Sequence, residues 1–260
     1  MAHNGKIWVQ SCSAESDAGI WGAYQDSVRR HARKVLRPGL EPEFHGISRT
    51  YPGIDFVDAS VTLATKEVVA SAIRAEEGGY AAFAFVSTND AGNREVRELT
   101  DIPCAFIVET AVQMAAQLGG KFAFLTHNAG SRRLMERLTV ERLCLGGQLV
   151  EGASLALTYN DFAGMHANPK PILKRFEEAA QGPIARGAKV LVPAGGPLNM
   201  FFVDQGFTHI DGVPLIDIHG VLLKEAERLA DMKALGMPQR GVRAVTPEQR
   251  KGLRALYTGG

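Results

Sequence analysis

The sequence predicts an α/β protein of two similar halves. Each half is a mostly parallel, doubly wound sheet, and the strand ends of both face one cleft. Three observations carry this. Apolar runs of strand length alternate with stretches of helical period along most of the chain. The order of elements restarts after Gly119-Gly120. Two apolar runs break abruptly, one into Ser87-Thr88-Asn89-Asp90-Ala91-Gly92 and the other into Pro193-Ala194-Gly195-Gly196. Buried parallel strands end in this way, and such sheets bind ligands beyond the carboxyl ends of their strands.

In order, Lys6 to Gln10 reads as the first strand, and Gln10-Ser11-Cys12-Ser13 as a polar loop. Ser16 or Asp17 is placed to cap a helix running to about Leu36, which ends at Arg37-Pro38-Gly39. Glu43 to Ile47 is a short strand, followed by a loop from Ser48 to Ser60 with the glycine and proline content of a lid. Val61 to Glu77 is helical by period and closed by Gly78-Gly79. Ala81 to Val86 is a buried strand, Gly92 to Leu99 a helix and Ile102 to Val108 a strand, with Thr110 capping a helix to Leu118. In the second half Lys121 to Leu125 is a strand, Thr126-His127-Asn128 a polar loop, and Ser131 the cap of a helix to Leu143. Gln148 to Gly152 reads as a strand, while Leu155 to Asn168 has no clean period. Pro171 to Arg186 is helical, and Lys189 to Val192 is the strand entering the glycine turn. Val213 to Asp217 closes the strands, Gly220 to Ala234 is an amphipathic helix, and Pro247 to Leu256 a short helix in a basic tail. The last long helix is expected to return to the first half. The halves are then residues 1–118 with 219–260, and residues 119–218.

The totals narrow the function classes. The chain has 260 residues, enough for a substantial core, with 45% hydrophobic and 22% charged residues. A net charge of +1 implies no nucleic-acid partner. No apolar run approaches the ~18 residues that span a bilayer, and Met1 to Lys6 form no apolar signal region. The expectation is a cytoplasmic protein with a small-molecule substrate and no membrane partner. Cys12, Cys104 and Cys144 are too sparse for a disulfide framework, and no metal or phosphate-loop motif occurs. No metal or cofactor is expected.

The motifs together resemble the aspartate/glutamate and hydantoin racemase superfamily, with maleate isomerase and arylmalonate decarboxylase as relatives. They are I-W-V-Q-S from Ile7, F-H-G-I-S from Phe44 and N-D-A-G from Asn89. Asp101-Ile102-Pro103 with Val108-Glu109-Thr110-Ala111, then P-A-G-G from Pro193 and G-V-P-L-I-D from Gly212, complete the set. The resemblance covers roughly Ile7 to Ala234. It implies two pseudo-symmetric Rossmann-like halves with the active site between them, cofactor-independent chemistry and, in the racemases, one cysteine at each of two strand ends. One thiolate removes the proton α to a carbonyl, and the other thiol returns it on the opposite face. The matching positions here hold Ser87 and Pro193. Serine is a poor unaided base and proline has no proton to give, so the two-cysteine mechanism does not carry over.

The candidate residues follow from the strand ends. Gly195 and Gly196, with Pro193 and Ala194, leave backbone N–H groups facing the cleft to hold a carboxylate or oxyanion; the plainer role is a tight turn. Ser87, Thr88 and Asn89 offer polar contacts to substrate, Ser87 also as a nucleophile, against helix capping. His45 is the preferred general base, its ordinary pKa suiting proton transfer near neutrality. Asp90 and Glu109 are alternative acids or bases, against service at helix N-termini. Gln10, Ser11 and Cys12 line the first loop, and Thr126 and Asn128 mirror them in the second half, with His127 ranked below them. Asp217 and His219 flank the last strand end. The expected activity is isomerase or lyase chemistry on a small carboxylate, amide or cyclic imide through an enolate-like intermediate, in a homo-oligomer. A hydrolase with water activated by His45 or Asp90 is the alternative. A binding protein without turnover is a second.

Overall fold

A computed structural model describes residues 5–14, 16, 18–239 and 241–259, without the side chains of residues 18–21, 159, 160 and 163. Asp17, one of the two expected caps, and residues 1–4, on which the N-terminal reading rests, lie outside the described residues. The first sheet contains β1 (Gly5–Ala14), β2 (Leu40–Ile47), β3 (Ala82–Phe85) and β4 (Cys104–Phe106) in the order β2-β1-β3-β4, all parallel. Its connections are α1 (Ala18–Val35), α2 (Asp58–Glu77) and α3 (Asn93–Leu99). After α4 (Ile107–Gln117), a second parallel sheet forms from β5 (Phe122–Thr126), β6 (Ala153–Ser154) and β7 (Val190–Ala194) in the order β6-β5-β7. It carries α5 (Ala129–Glu141), α6 (Tyr159–Gly164), α7 (Pro169–Ala185) and α8 (Gly196–Asp204). A small antiparallel pair, β8 (His209–Ile210) with β9 (Val213–Pro214), precedes α9 (Ile218–Ala234) and α10 (Pro247–Thr258). The protein is therefore α/β with mostly parallel sheets. Among the described residues no helix is long and apolar enough to cross a membrane.

Residue pattern explains the placement. β3 reads Ala-Phe-Ala-Phe and β5 reads Phe-Ala-Phe-Leu-Thr, and every residue of both is buried. Such strands must be covered on both faces, so they take inner positions. Pro42 lies in β2, an edge strand, where its missing N–H breaks no inner ladder. α4 and α9 pack on each other; α9 also meets β3 and β4, while α4 meets β4 and β7. One apolar core therefore runs from Val9 and Ala84 through Val112 and Leu222 to Phe124 and Val192.

Several segments differ from the sequence reading. The expected polar loop Gln10 to Ser13 is part of β1, because the strand continues past its register break with β2 to pair Ala14 with Ile47. The strand ending expected at Val108 stops at Phe106, and α4 begins at once because the Asp90 carboxylate accepts its Val108 and Glu109 N–H groups. Gln148 to Gly152 is not a continuous strand: a 3-10 turn covers Gly146–Gln148, Leu149 makes one isolated parallel bridge to Phe122, and β6 begins at Ala153. Within the segment without clean period, a Thr158–Asp161 capping box starts α6. Gly152 lies so close to β5 that a Cβ there would sit 2.2 Å from the Phe124 carbonyl oxygen. Gly152→Ala is expected to cost about 1–3 kcal/mol as the second sheet's edge is pushed away. An unchanged melting temperature by calorimetry would count against this packing.

Candidate active site

The strand ends meet around one cavity of about 70 Å³. Ser11 and Ser13, two residues apart on β1, point to one face and line it, while Cys12 and Ala14 turn into the core. Ser87 and Thr88 follow β3, His127 follows β5, and Gly195 and Gly196 follow β7. Tyr24 enters from α1, Phe162 from α6, and Thr50, Ile54 and Asp55 from the loop after β2.

That loop crosses the cleft. It is pinned to the first half by Ala14 N–H donating to Thr50 Oγ1 at 2.8 Å, and by Tyr51 Oη donating to Glu67 Oε1 at 2.9 Å. Asn89 Nδ2 donates to the Ile54 carbonyl at 2.9 Å, fixing the turn that carries Asp55. On the far side Phe56 lies against Gly130 at the start of α5, and Arg137 pairs with Asp58 through both guanidinium nitrogens. Asp55 is thereby brought from one half to His127 of the other, with Oδ2 3.7 Å from Nε2.

Tyr24, Asp55 and His127 are the titratable side chains lining this cavity among the described residues. The surrounding walls raise the Asp55 carboxyl above its ordinary range, an effect His127 opposes. Burial lowers the His127 imidazole, an effect Asp55 opposes. The opposite shifts bring the two proton affinities closer together than those of an ordinary carboxylate and imidazole. His127 Nδ1 is buried with no hydrogen-bond partner among the described residues. Across the cavity Tyr24 Oη meets His219 Nε2 at 2.9 Å, and His219 Nδ1 meets Asn199 Oδ1 at 2.7 Å. Burial pulls the His219 imidazole down to about 4. A folded value below the unfolded one near 6.5 means that the unfolded chain binds the extra proton between these values. Stability from this residue is complete above about pH 6.5 and is lost as pH falls toward 4, by about 3 kcal/mol. The measurement is the stability difference between wild type and His219→Gln by urea unfolding at pH 7 and pH 4. A difference that does not narrow in acid would contradict it.

Of the expected site residues, Ser11, Ser87, Thr88, Gly195 and Gly196 line the cavity. The others are placed elsewhere. Gln10 is fully buried, accepting from Trp8 Nε1 and donating to the Ser11 carbonyl. The Cys12 thiol is buried in the core and pushed up to about 12 by that burial, so it supplies no thiolate. Its N–H donates to Ser87 Oγ at 2.8 Å, which gives the serine an orienting donor and not a base. Asn89 holds the Asp55 turn. Thr126 donates to the Asn128 carbonyl, and Asn128 caps α5 by accepting from Ser131 N–H. Pro193 and Ala194 are buried within β7, paired with Leu125 and Thr126.

The three expected acid–base residues are not gathered around this cavity. His45 stacks on Trp8 with ring centroids 3.5 Å apart, sits 3.2 Å from Glu43 Oε1, and lines a smaller apolar chamber beyond Tyr24. Asp90 is fully buried, caps α4 and pairs with Arg142, the residue that follows α5. Glu109 pairs with Arg97 at 2.7 Å and accepts from Asn93, lining a separate cavity beside α9. Sequence reasoning passed over Tyr24, Thr50 and Asp55 and ranked His127 below its neighbours. The available signal was the loop's composition, which marked it as a lid without marking its aspartate.

The profile of the family described as Asp/Glu/Hydantoin racemase matches residues 23–244. No curated protein matches the chain in sequence. Among solved structures, an allantoin racemase from Klebsiella pneumoniae aligns with a TM-score of 0.74 and 18% identity, covering 95% of this chain and 98% of that one. An allantoin racemase from Pseudomonas fluorescens gives 0.72 and 18%, over 92% and 94%. A glutamate racemase from Francisella tularensis, solved with D-glutamate, gives 0.62 and 11%, over 99% and 94%. At these identities the likeness is one of fold.

Proposed function

Because the chain belongs to the Asp/Glu/Hydantoin racemase family, we propose that it is a cofactor-independent isomerase that moves a proton at the carbon α to a carbonyl, with the Asp55–His127 couple in place of a thiol pair. One observation carries this reading: Asp55 and His127 both line the cleft, with Oδ2 3.7 Å from Nε2, and among the described residues no cysteine lines it. The substrate is a small carboxylate, amide or cyclic imide. The couple removes the α-proton, and charge develops on the adjacent carbonyl oxygen. The Gly196 N–H at the start of α8 and the Ser87 and Thr88 hydroxyls, all from residues lining the cavity, would receive that charge. A neutral His127 beside a carboxyl of raised affinity suits proton return as well as removal.

The test is incubation of 5-substituted hydantoins, aspartate and glutamate with the enzyme in D₂O. Deuterium appearing at the α-carbon, with loss of optical rotation, is the expected result. Oxygen-18 from labelled water entering an acid product, without α-deuterium, would replace the reading with hydrolysis by a water held at the same couple.

A further inference from the structure

We propose that the cavity beside α9 is a second ligand site, for a small zwitterion whose ammonium and carboxylate stand at opposite ends, as in an ω-amino acid. It shares no lining residue with the cleft, so the inference goes beyond the proposed function and does not rest on it.

This cavity measures about 200 Å³, against about 70 Å³ for the cleft. It lies against β4, an edge strand of the first sheet, and is walled by residues of α3, α4 and α9. An edge strand has one row of backbone groups with no neighbouring strand to pair them. Phe83 N–H donates to the Pro103 carbonyl at 2.8 Å, so by the alternation of a parallel ladder the backbone groups of Cys104 point outward. There the Cys104 carbonyl receives Arg97 Nη2 at a long 3.5 Å, and its N–H has no acceptor among the described residues.

The arginines and glutamates of the wall come in two pairs. Arg97 of α3 donates from Nη2 to Glu109 Oε2 of α4 at 2.7 Å. Arg228 holds Glu225 within α9, from Nε at 2.7 Å and from Nη2 at 2.6 Å. Neither pair is saturated. Glu109 Oε2 also accepts from Asn93, while Oε1 has no partner among the described residues and is not fully enclosed. A carboxylate oxygen left open in this way can accept from an ammonium. Arg228 places Nη1 on the Met232 sulfur, a weak acceptor that a ligand carboxylate would displace. Gln113 of α4 adds an amide with both donor and acceptor.

The pairing decides the class of ligand. A lone cation at Glu109 also meets Arg97, and a lone anion at Arg228 also meets Glu225. Each gains from one member of a pair and is opposed by the other. A molecule that carries both charges sets each against its opposite. Glu109 and Glu225 are largely buried, so these contacts are screened less than ion pairs on open surface.

The probes are β-alanine, γ-aminobutyrate and 5-aminovalerate, with propylamine and propionate as the single charges, measured by calorimetry on the full chain. At least one zwitterion is expected to saturate a single site, bound about 10–100-fold more tightly than propylamine or propionate, the range for one hydrogen bond to a charged group. Arg228→Gln, on the exposed side of α9, should weaken that zwitterion by a similar factor, and so should Glu109→Gln. His127→Asn, in the cleft, should leave its binding unchanged. Three results would overturn the proposal: no saturation by any zwitterion, which would mean a hydrated cavity only; a single charge bound as tightly as the zwitterion; or binding lost in His127→Asn and kept in Arg228→Gln. Deuterium exchange at the α-carbon reads the cleft alone, so its failure would leave this result standing.

Discussion

Arg142→Met is expected to destabilise the protein by about 3–5 kcal/mol near neutral pH, the loss typical of a buried charge left without its partner. For a chain of this size that lowers the melting temperature by roughly 10 °C. The Asp90 side chain has no exposed surface, and burial raises its carboxyl to about 6 even with Arg142 beside it. Its positive φ of 46° and its caps on Val108 and Glu109 fix it in place. The sign with pH is determined by that raised affinity. A carboxyl with folded affinity above the unfolded value near 3.8 contributes stability in full below about pH 4, and that contribution is lost as pH rises through 6. Removing Arg142 raises the carboxyl further. The gap between wild type and Arg142→Met should therefore widen from about pH 4 to above pH 6, as Asp90 sheds its proton with no cation nearby. Urea unfolding across this range measures it. A gap that is constant with pH would mean that Asp90 is not the group left uncompensated.

His127→Asn is expected to slow α-proton exchange by about 10²–10⁴-fold, the usual contribution of a positioned acid–base group. Asp55→Asn should cost a similar factor, and the double variant little more, because groups that act as one unit are not additive. Exchange rates in D₂O, followed by NMR for all three variants, provide the check. Losses that multiply in the double variant would show two independent groups. An unaffected Asp55→Asn would remove the aspartate from the chemistry.

Much of the fold was legible because β3 and β5 are almost wholly apolar runs, as inner parallel strands require, and because the apolar run of β7 ends in a glycine turn. The location of the cleft was legible too, since Ser87, Thr88, Gly195 and Gly196 are where strand ends put them. The proposed acid–base groups were not. Asp90, Asn128 and Thr126 have the residue types of a polar site, yet local backbone N–H and carbonyl groups claim them, which sequence spacing cannot distinguish from ligand binding. His45 sits on a strand next to a glycine, but Trp8, on the neighbouring strand, covers its ring. Asp55 and Tyr24 come from a loop and a helix face. Their place in the cavity depends on Phe56 reaching Gly130 and on Gly196 leaving room for a hydroxyl, contacts between residues far apart in the chain. The family resemblance pointed to Ser87 and Pro193 as vacated cysteine positions, and nothing local showed what stood in their place.

The crossing segment from Thr50 to Asp58 bears one half of the proposed proton-transfer couple, while the other half stays on the opposite side of the divide. Any excursion that lifts Phe56 from Gly130 and parts Asp58 from Arg137 also draws Asp55 away from His127. Were a ligand admitted by that excursion, entry and the Asp55–His127 approach would exclude each other, both being set by one nine-residue strap. On the proposed mechanism, a molecule too bulky to be sealed beneath it would then be bound beside an incomplete base and leave unchanged, so the strap would select by size through turnover instead of through affinity.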